Sequence, residues 1–328
     1  MKPIDMVYCW CDGNDLSFIE RKNLYLKKEK KQYNNDAVGN HRFSDNDELR
    51  YSLRSLTMYA PWINHVYIVT DRQIPKWLNK DCKKVTIIDH SQIMPKEIIP
   101  CFSASVIERY IVNIPNLSEH FLYGNDDMFF GQPITPNFFF REEQKPIIFA
   151  KVYEKFSHID SMDDFNKKYK LVSSWMKTNM NSWEMLYKKY GERKFLVLAH
   201  TIDAYTKSLF REVLEKYEEE FQKTLHMRFR EESGISRSIF GLDMVYSKNA
   251  ELKIITAPNF WQKHIHKSKN FSLECYCGSE DEKTRKQILR FKPYVFCINA
   301  DSKSREMDKI KMREFYQTLF PEKSPFEL

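Results

Sequence analysis

The sequence predicts an α/β protein: a doubly wound, mainly parallel, Rossmann-like sheet with a helical insertion. Three observations predict it. Short apolar runs at 4–10, 65–71, 85–90 and 120–124 alternate with helical patterns, the signature of strand–helix–strand units. These runs stop at carboxylates, namely Asp12, Asp71, Asp89 and the adjacent pair Asp126 and Asp127. At 151–194 the pattern gives way to mixed aromatic, amide and lysine side chains, read as helices lying over the crevice. The expected division is a core over 1–150, an insertion over 151–194, and the remaining core with a C-terminal helical segment over 195–328.

The first strand, 4–10, runs into the turn 11–15, where Gly13 allows close backbone approach and Asp12 stands at the strand's end. Residues 19–36 form a charged helix or loop. A helix is predicted from Asp45, a good N-cap with Glu48 three residues on, and buries Leu49, Leu53 and Leu56. Arg50 and Arg54 lie one turn apart on another face. They suit either a solvated charge network or a phosphate clamp, and the spacing leaves both readings open. A helix over 103–113 turns Val106, Ile107, Tyr110 and Ile111 inward. The apolar run 121–123 then meets Gly124, Asn125, Asp126 and Asp127. Two adjacent unpaired charges cost several kcal/mol or so each to bury, so they belong at a strand end facing solvent, a cation or a phosphate. In open α/β sheets that edge is where ligands bind. Later elements are a short strand at 195–199 ending at His200, a helix over 203–224, a helix near 237–247, a strand near 252–256 and a helix at 304–319.

Composition narrows the function classes. With 328 residues, 42% hydrophobic and only 8 glycines, the chain suits an ordered fold with a sizeable core. The net charge of +7 suits an anionic partner such as a nucleotide sugar or an acidic membrane surface. Its basic runs at 27–31 and 263–269 are too short to indicate nucleic acid. The 7 cysteines and the absence of a secretory pattern predict a reduced, cytoplasmic protein. Cys9 and Cys11, like Cys275 and Cys277, lack zinc-knuckle spacing and read as small packing residues. No apolar run approaches the ~20 residues of a membrane span, so any membrane association is peripheral.

Four blocks of this sequence match a known family. They are 4–15; the long stretch from Arg42 and Phe43 through Asp45, Asp47, Glu48, Leu49 and Arg50 to Asp71 and on to Asn125, Asp126 and Asp127; the segment from His200 to Arg230; and Cys297-Ile298-Asn299 with 320–327. On these residues the chain resembles the Stealth proteins, bacterial capsular and exopolysaccharide sugar-1-phosphate transferases related to the animal N-acetylglucosamine-1-phosphotransferase. It departs from the usual pattern at Cys9 and Cys11 (usually Thr and Val), at Ile202 (usually Pro) and at Ser103 (usually Asn).

The resemblance implies a UDP-sugar donor bound by the 1–150 core and transfer of sugar-1-phosphate to a hydroxyl of an acceptor glycan. It implies release of UMP and dependence on a divalent cation. The acceptor it suggests is an oligosaccharide, carried on lipid at the inner face of the cell membrane. It places His200, Asp127 and Arg230 in catalysis, with Asp12, Gly13, Arg42, Asp47, Glu48, Arg50 and Asn125 lining the substrate site. These residue types suit phosphoryl transfer: Asp126 and Asp127 can hold Mg2+ or Mn2+, arginines neutralise phosphate oxygens, and an imidazole can take the hydroxyl proton. His200, Asp126 and Asp127 all remain open as that base. The competing chemistry is a metal-dependent glycosyltransferase that releases UDP, since strand-end acidic pairs serve it equally.

Overall fold

The computed structural model describes residues 2–142, 144–156, 159, 161–169, 172–255, 273–300 and 304–328. The basic run at 263–269 and Lys170 lie outside the described residues. Eleven strands are described: β1 (Ile4–Cys9), β2 (Val66–Thr70), β3 (Val85–Asp89), β4 (His120–Asn125), β5 (Met128–Phe130), β6 (Ile147–Val152), β7 (Leu196–Leu198), β8 (Asp203–Thr206), β9 (Glu251–Ile254), β10 (Cys275–Ser279) and β11 (Val295–Asn299). They form a five-stranded sheet ordered β3-β2-β1-β4-β8 and two three-stranded sheets ordered β10-β11-β5 and β7-β6-β9.

In the large sheet β1 to β4 run parallel, and β8 closes the edge antiparallel to β4. Strand side chains alternate between faces. Val7, Tyr67, Val69, Phe121 and Tyr123 therefore pack on one side with helices Lys207–Lys216 and Ser238–Tyr246. Met6, Tyr8, Val66, Ile68 and Leu122 pack on the other with Leu49, Leu53 and Leu56 of helix Glu48–Tyr59. Burial on both faces is why these runs are almost wholly apolar until they end. The predicted α/β fold, mainly parallel in its principal sheet, is what forms.

Local differences have physical causes. Helix Glu48–Tyr59 starts three residues later than its expected cap: Asp47 precedes it in the left-handed region at φ 65°, with no side-chain cap bond. Asp45 instead accepts a hydrogen bond from Trp10 Nε1 at 3.3 Å, and Glu48 turns back to accept from the Asn46 N–H. The helix expected over 103–113 is an α-turn, Ala104–Ile107, continued as a 3-10 helix, Glu108–Asn113. Residues 203–206, expected as helix, form strand β8, because Ala204 and Tyr205 fill opposite faces of the sheet edge; the helices there are Lys207–Lys216 and Glu218–Lys223.

Arg50 and Arg54 are resolved as well. Arg54 donates through Nε and Nη2 to the Glu327 carboxylate at 2.7 and 2.8 Å, and Arg50 Nε adds a third bond at 2.6 Å. Arg54 and Glu327 side chains are only 4% and 1% exposed. Burial would raise the Glu327 pKa, but the bonds from Arg54, the Ser324 N–H and Arg50 outweigh it and pull it down to about 2.

Removing one partner of a buried ion pair costs about 3–5 kcal/mol. Glu327→Gln should lower the unfolding free energy by roughly 3 kcal/mol in urea at neutral pH. Because the folded-state value lies below the ordinary 4.5, the carboxylate's contribution is complete above that value and fades as pH falls toward about 2. The variant should lose that part of the acid dependence, and an unchanged stability–pH profile would overturn the assignment.

Candidate active site

The principal sheet and its two neighbours meet at tight junctions, and the chemistry-bearing side chains sit at those junctions. β4 ends at Asn125 and β5 begins at Met128, so Asp126 and Asp127 are the whole connection between two sheets. β7 ends at Leu198 and β8 begins at Asp203, so His200 lies in the link between the third sheet and the principal one. On β11, Cys297 is the register partner of Met128, and the Ile298 N–H donates to the Asp127 carbonyl at 3.1 Å. Three distant stretches thereby converge: one ligand atom each from Asp127, His200 and Cys297 lie within 4.8 Å of one another.

The electrostatics are those of crowded acids. Burial first, then Asp127 and Asp45, push the Asp126 pKa well up. Burial also raises Asp127, to about 6, against the Cys297 thiol and the positive charges of Arg237 and Arg42. Asp45 rises to about 6 through burial and the nearby Asp47 and Asp12. Buried Glu48 is raised by burial and by Asp126 and Asp45. Among the described residues Asp127 Oδ1 is buried without a hydrogen-bond partner. A carboxylate oxygen so placed can serve a divalent cation, and among the described residues the group close enough to hold a metal ion is Asp127 with His200 and Cys297, Asp126 being the next carboxylate along the chain. His200 is driven the opposite way: burial and the charges of Arg237 and Arg230 hold it near 3, although a hydrogen bond with Asn299 opposes them. Its imidazole is therefore neutral at physiological pH, with a lone pair available.

Asp126 thus acts with Asp127 and Glu48, Arg42 acts on Asp127, and Arg230 acts on His200, which lies beside Asp127; Asp12 and Asp47 adjoin the acids through Asp45. Asn125 accepts from the Tyr123 hydroxyl at 3.2 Å on the same strand end. Arg50 is not brought there, since its Nε is bonded to Glu327. The close approach Gly13 permits is to the protein itself. Its N–H bonds the Phe43 carbonyl at 2.6 Å, and a Cβ would meet that oxygen at 2.1 Å. Asp71 and Asp89, though at strand ends, are engaged structurally: Asp71 receives Arg21, and Asp89 caps the next helical turn.

Sequence reasoning missed Arg237, Asp203, Cys297 as a site group, and Asn299. Arg237 lies beyond the matching segment that ends at Arg230, inside an unremarkable Ser-Arg-Ser. Only pairing β8 with β4 brings Asp203 and Arg237 beneath the strand tips.

The family models that match are Stealth protein conserved region 2 over residues 42–148, conserved region 3 over 199–239 and conserved region 4 over 286–328. They hold Arg42 and Asp126–Asp127, then His200, Arg230 and Arg237, then Cys297 and Glu327. A capsular polysaccharide phosphotransferase of Haemophilus influenzae is 32% identical over 309 residues, covering 92% of this chain and 79% of the relative. An exopolysaccharide phosphotransferase of Lactiplantibacillus plantarum is 32% identical over 348 residues, covering 99% and 96%. A galactosyltransferase solved with donor and acceptor sugar analogues aligns over 96% of both chains at 10% identity and a TM-score of 0.45. Among the described residues no helix is long and apolar enough to cross a membrane.

The crowding of acids has a measurable cost. Asp126→Asn removes one charge from the cluster and should stabilise the cation-free protein by about 1 kcal/mol. Thermal unfolding in a chelator tests this, and a variant less stable than the parent would show that Asp126 is already compensated.

Proposed function

The chain belongs to the Stealth family, and from that premise we propose that it transfers sugar-1-phosphate from a UDP-sugar to a hydroxyl of an acceptor glycan, releasing UMP, in the synthesis of a capsular or other cell-surface polysaccharide. The observation that carries the reading is the convergence of the unpartnered Asp127 oxygen with neutral His200 and the charges of Arg42 and Arg230 at the junction of three sheets. Curated relatives named as phosphotransferases over nearly the whole chain support a transferase of this class.

In this reading Asp126 and Asp127 hold Mg2+ or Mn2+, which when bound neutralises charge on the donor's diphosphate. Arg42 and Arg230 bring positive charge to the non-bridging oxygens, and Asp12, Asp47, Glu48 and Asn125 border the donor pocket. The acceptor hydroxyl attacks the phosphorus that carries the sugar. Its proton passes to the free nitrogen of His200, the bond to the nucleoside monophosphate breaks, and UMP leaves. The incoming diphosphate is anionic and opposes the arginine charges around His200, which raises the imidazole's basicity as the donor binds. The anomeric carbon–oxygen bond is never cut, so the sugar keeps its configuration. The two helices Met162–Lys168 and Ser174–Tyr190 are where acceptor contacts are expected.

Incubation with a panel of UDP-sugars, a divalent cation and an acceptor oligosaccharide should release UMP. Released UDP would instead identify a glycosyltransferase. His200→Ala should lower turnover by roughly 10²–10⁴-fold, the range for losing a general base. Asp127→Asn should lower it at least as far, and full turnover in both variants would end the assignment.

A further inference from the structure

Arg237 is a nearly buried arginine with an unused end. Its side chain is 12% exposed, and its Nε donates to Asp203 Oδ2 at 2.7 Å, where the Asp203 side chain is 3% exposed. The guanidinium lies 5.9 Å from the centre of the Tyr123 ring. Neither terminal amino group donates a hydrogen bond among the described residues, and neither is sealed from solvent. A guanidinium has five N–H donors, and buried donors are almost always paired. A fork anchored at Nε and idle at its tips is arranged for a bidentate anion.

The setting favours that use. The charge of Arg237 acts on both Asp127 and His200, and on Glu108 and Cys9 beside them. The backbone around it is clamped. Ser236 and Ser238, on either side of Arg237, both donate to Asn179 Oδ1, at 2.9 and 2.7 Å. Asn179 is itself buried and donates to the Trp175 carbonyl at 2.8 Å. Asn181 Nδ2, from the same helix, holds the Glu232 and Gly234 carbonyls. A counter-ion for Asp203 alone would need neither the open fork nor this bracing.

We infer that Arg237 receives the phosphoryl group undergoing transfer on its free guanidinium tips, with Asp203 and Asn179 as positioning residues. The inference rests on the phosphate-transfer reading and adds a catalytic residue to it. Arg237→Lys keeps the charge and loses the fork. The double variant Arg237→Gln with Asp203→Asn removes both charges together, so that no lone buried carboxylate is left to unfold the protein.

Two measurements test it, on variants whose circular dichroism matches the parent. In titration calorimetry with inorganic pyrophosphate under chelator, both variants should bind at least tenfold more weakly. In turnover, Arg237→Lys should lower kcat by roughly a hundredfold while donor KM stays within a few-fold. Unchanged pyrophosphate affinity in both variants overturns the assignment, as does Arg237→Lys turnover within threefold of the parent. Weakened pyrophosphate binding in a protein whose parent releases no UMP from any UDP-sugar supports Arg237 as the anion receptor, and it is then the donor reading that falls.

Discussion

The repulsion between two adjacent carboxylates in a two-residue link constrains everything around it. Asp126 and Asp127 cannot move apart, because β4 must end and β5 must begin on either side of them. Nor can they retreat into the core, where Leu122, Met128 and Phe130 are fully packed. Their charge has to be answered from other parts of the chain. Arg42 comes from one stretch of the sequence and Arg230 and Arg237 from another far downstream, yet each acts on this region. Glu48 and Asp45 add to the acidic excess rather than relieving it. A fold that tolerates such a concentration of like charge retains it at a cost in stability, which is a common property of active sites.

The arginines divide into two kinds by what their nitrogens do. Arg54 spends its donors on Glu327, Gln317 and backbone carbonyls near the C-terminus, and so tethers the final residues to helix Glu48–Tyr59. Arg109 is likewise directed to the Ser105 and Phe221 carbonyls. Arg237 commits one donor only. Counting occupied donors, rather than noting a positive charge, is what separates a structural arginine from one left available to a ligand.

Much of this was legible in the residues. The parallel strands announced themselves because both sheet faces are buried, which forces continuous apolar runs ended by polar groups. The acidic pair was conspicuous for the same reason. What could not be read is pairing between short, non-consecutive strands. Asp203–Thr206 looks helical when joined to the amphipathic stretch after it, and only its ladder with β4 makes it a strand. Cys297 stood out only as part of a matching block, since nothing in its neighbourhood says that Met128, and so Asp127, lies across from it. Arg50 and Arg54 could not be assigned because their partner, Glu327, stands more than two hundred residues away.

The segment between β6 and β7 looks, at first sight, like an exchangeable module: antiparallel neighbours joined by helices with their own aromatic cluster of Phe156, Phe165, Trp183 and Phe195. Asn179 denies it that independence. Its amide is the shared anchor of Ser236 and Ser238, so grafting a foreign segment here would loosen the loop after Arg230 unless the amide and both hydroxyls travelled as a set. Diversification along a lineage, or by a protein engineer, is thereby channelled to the remainder of that segment, leaving one helical turn as its fixed hinge pin.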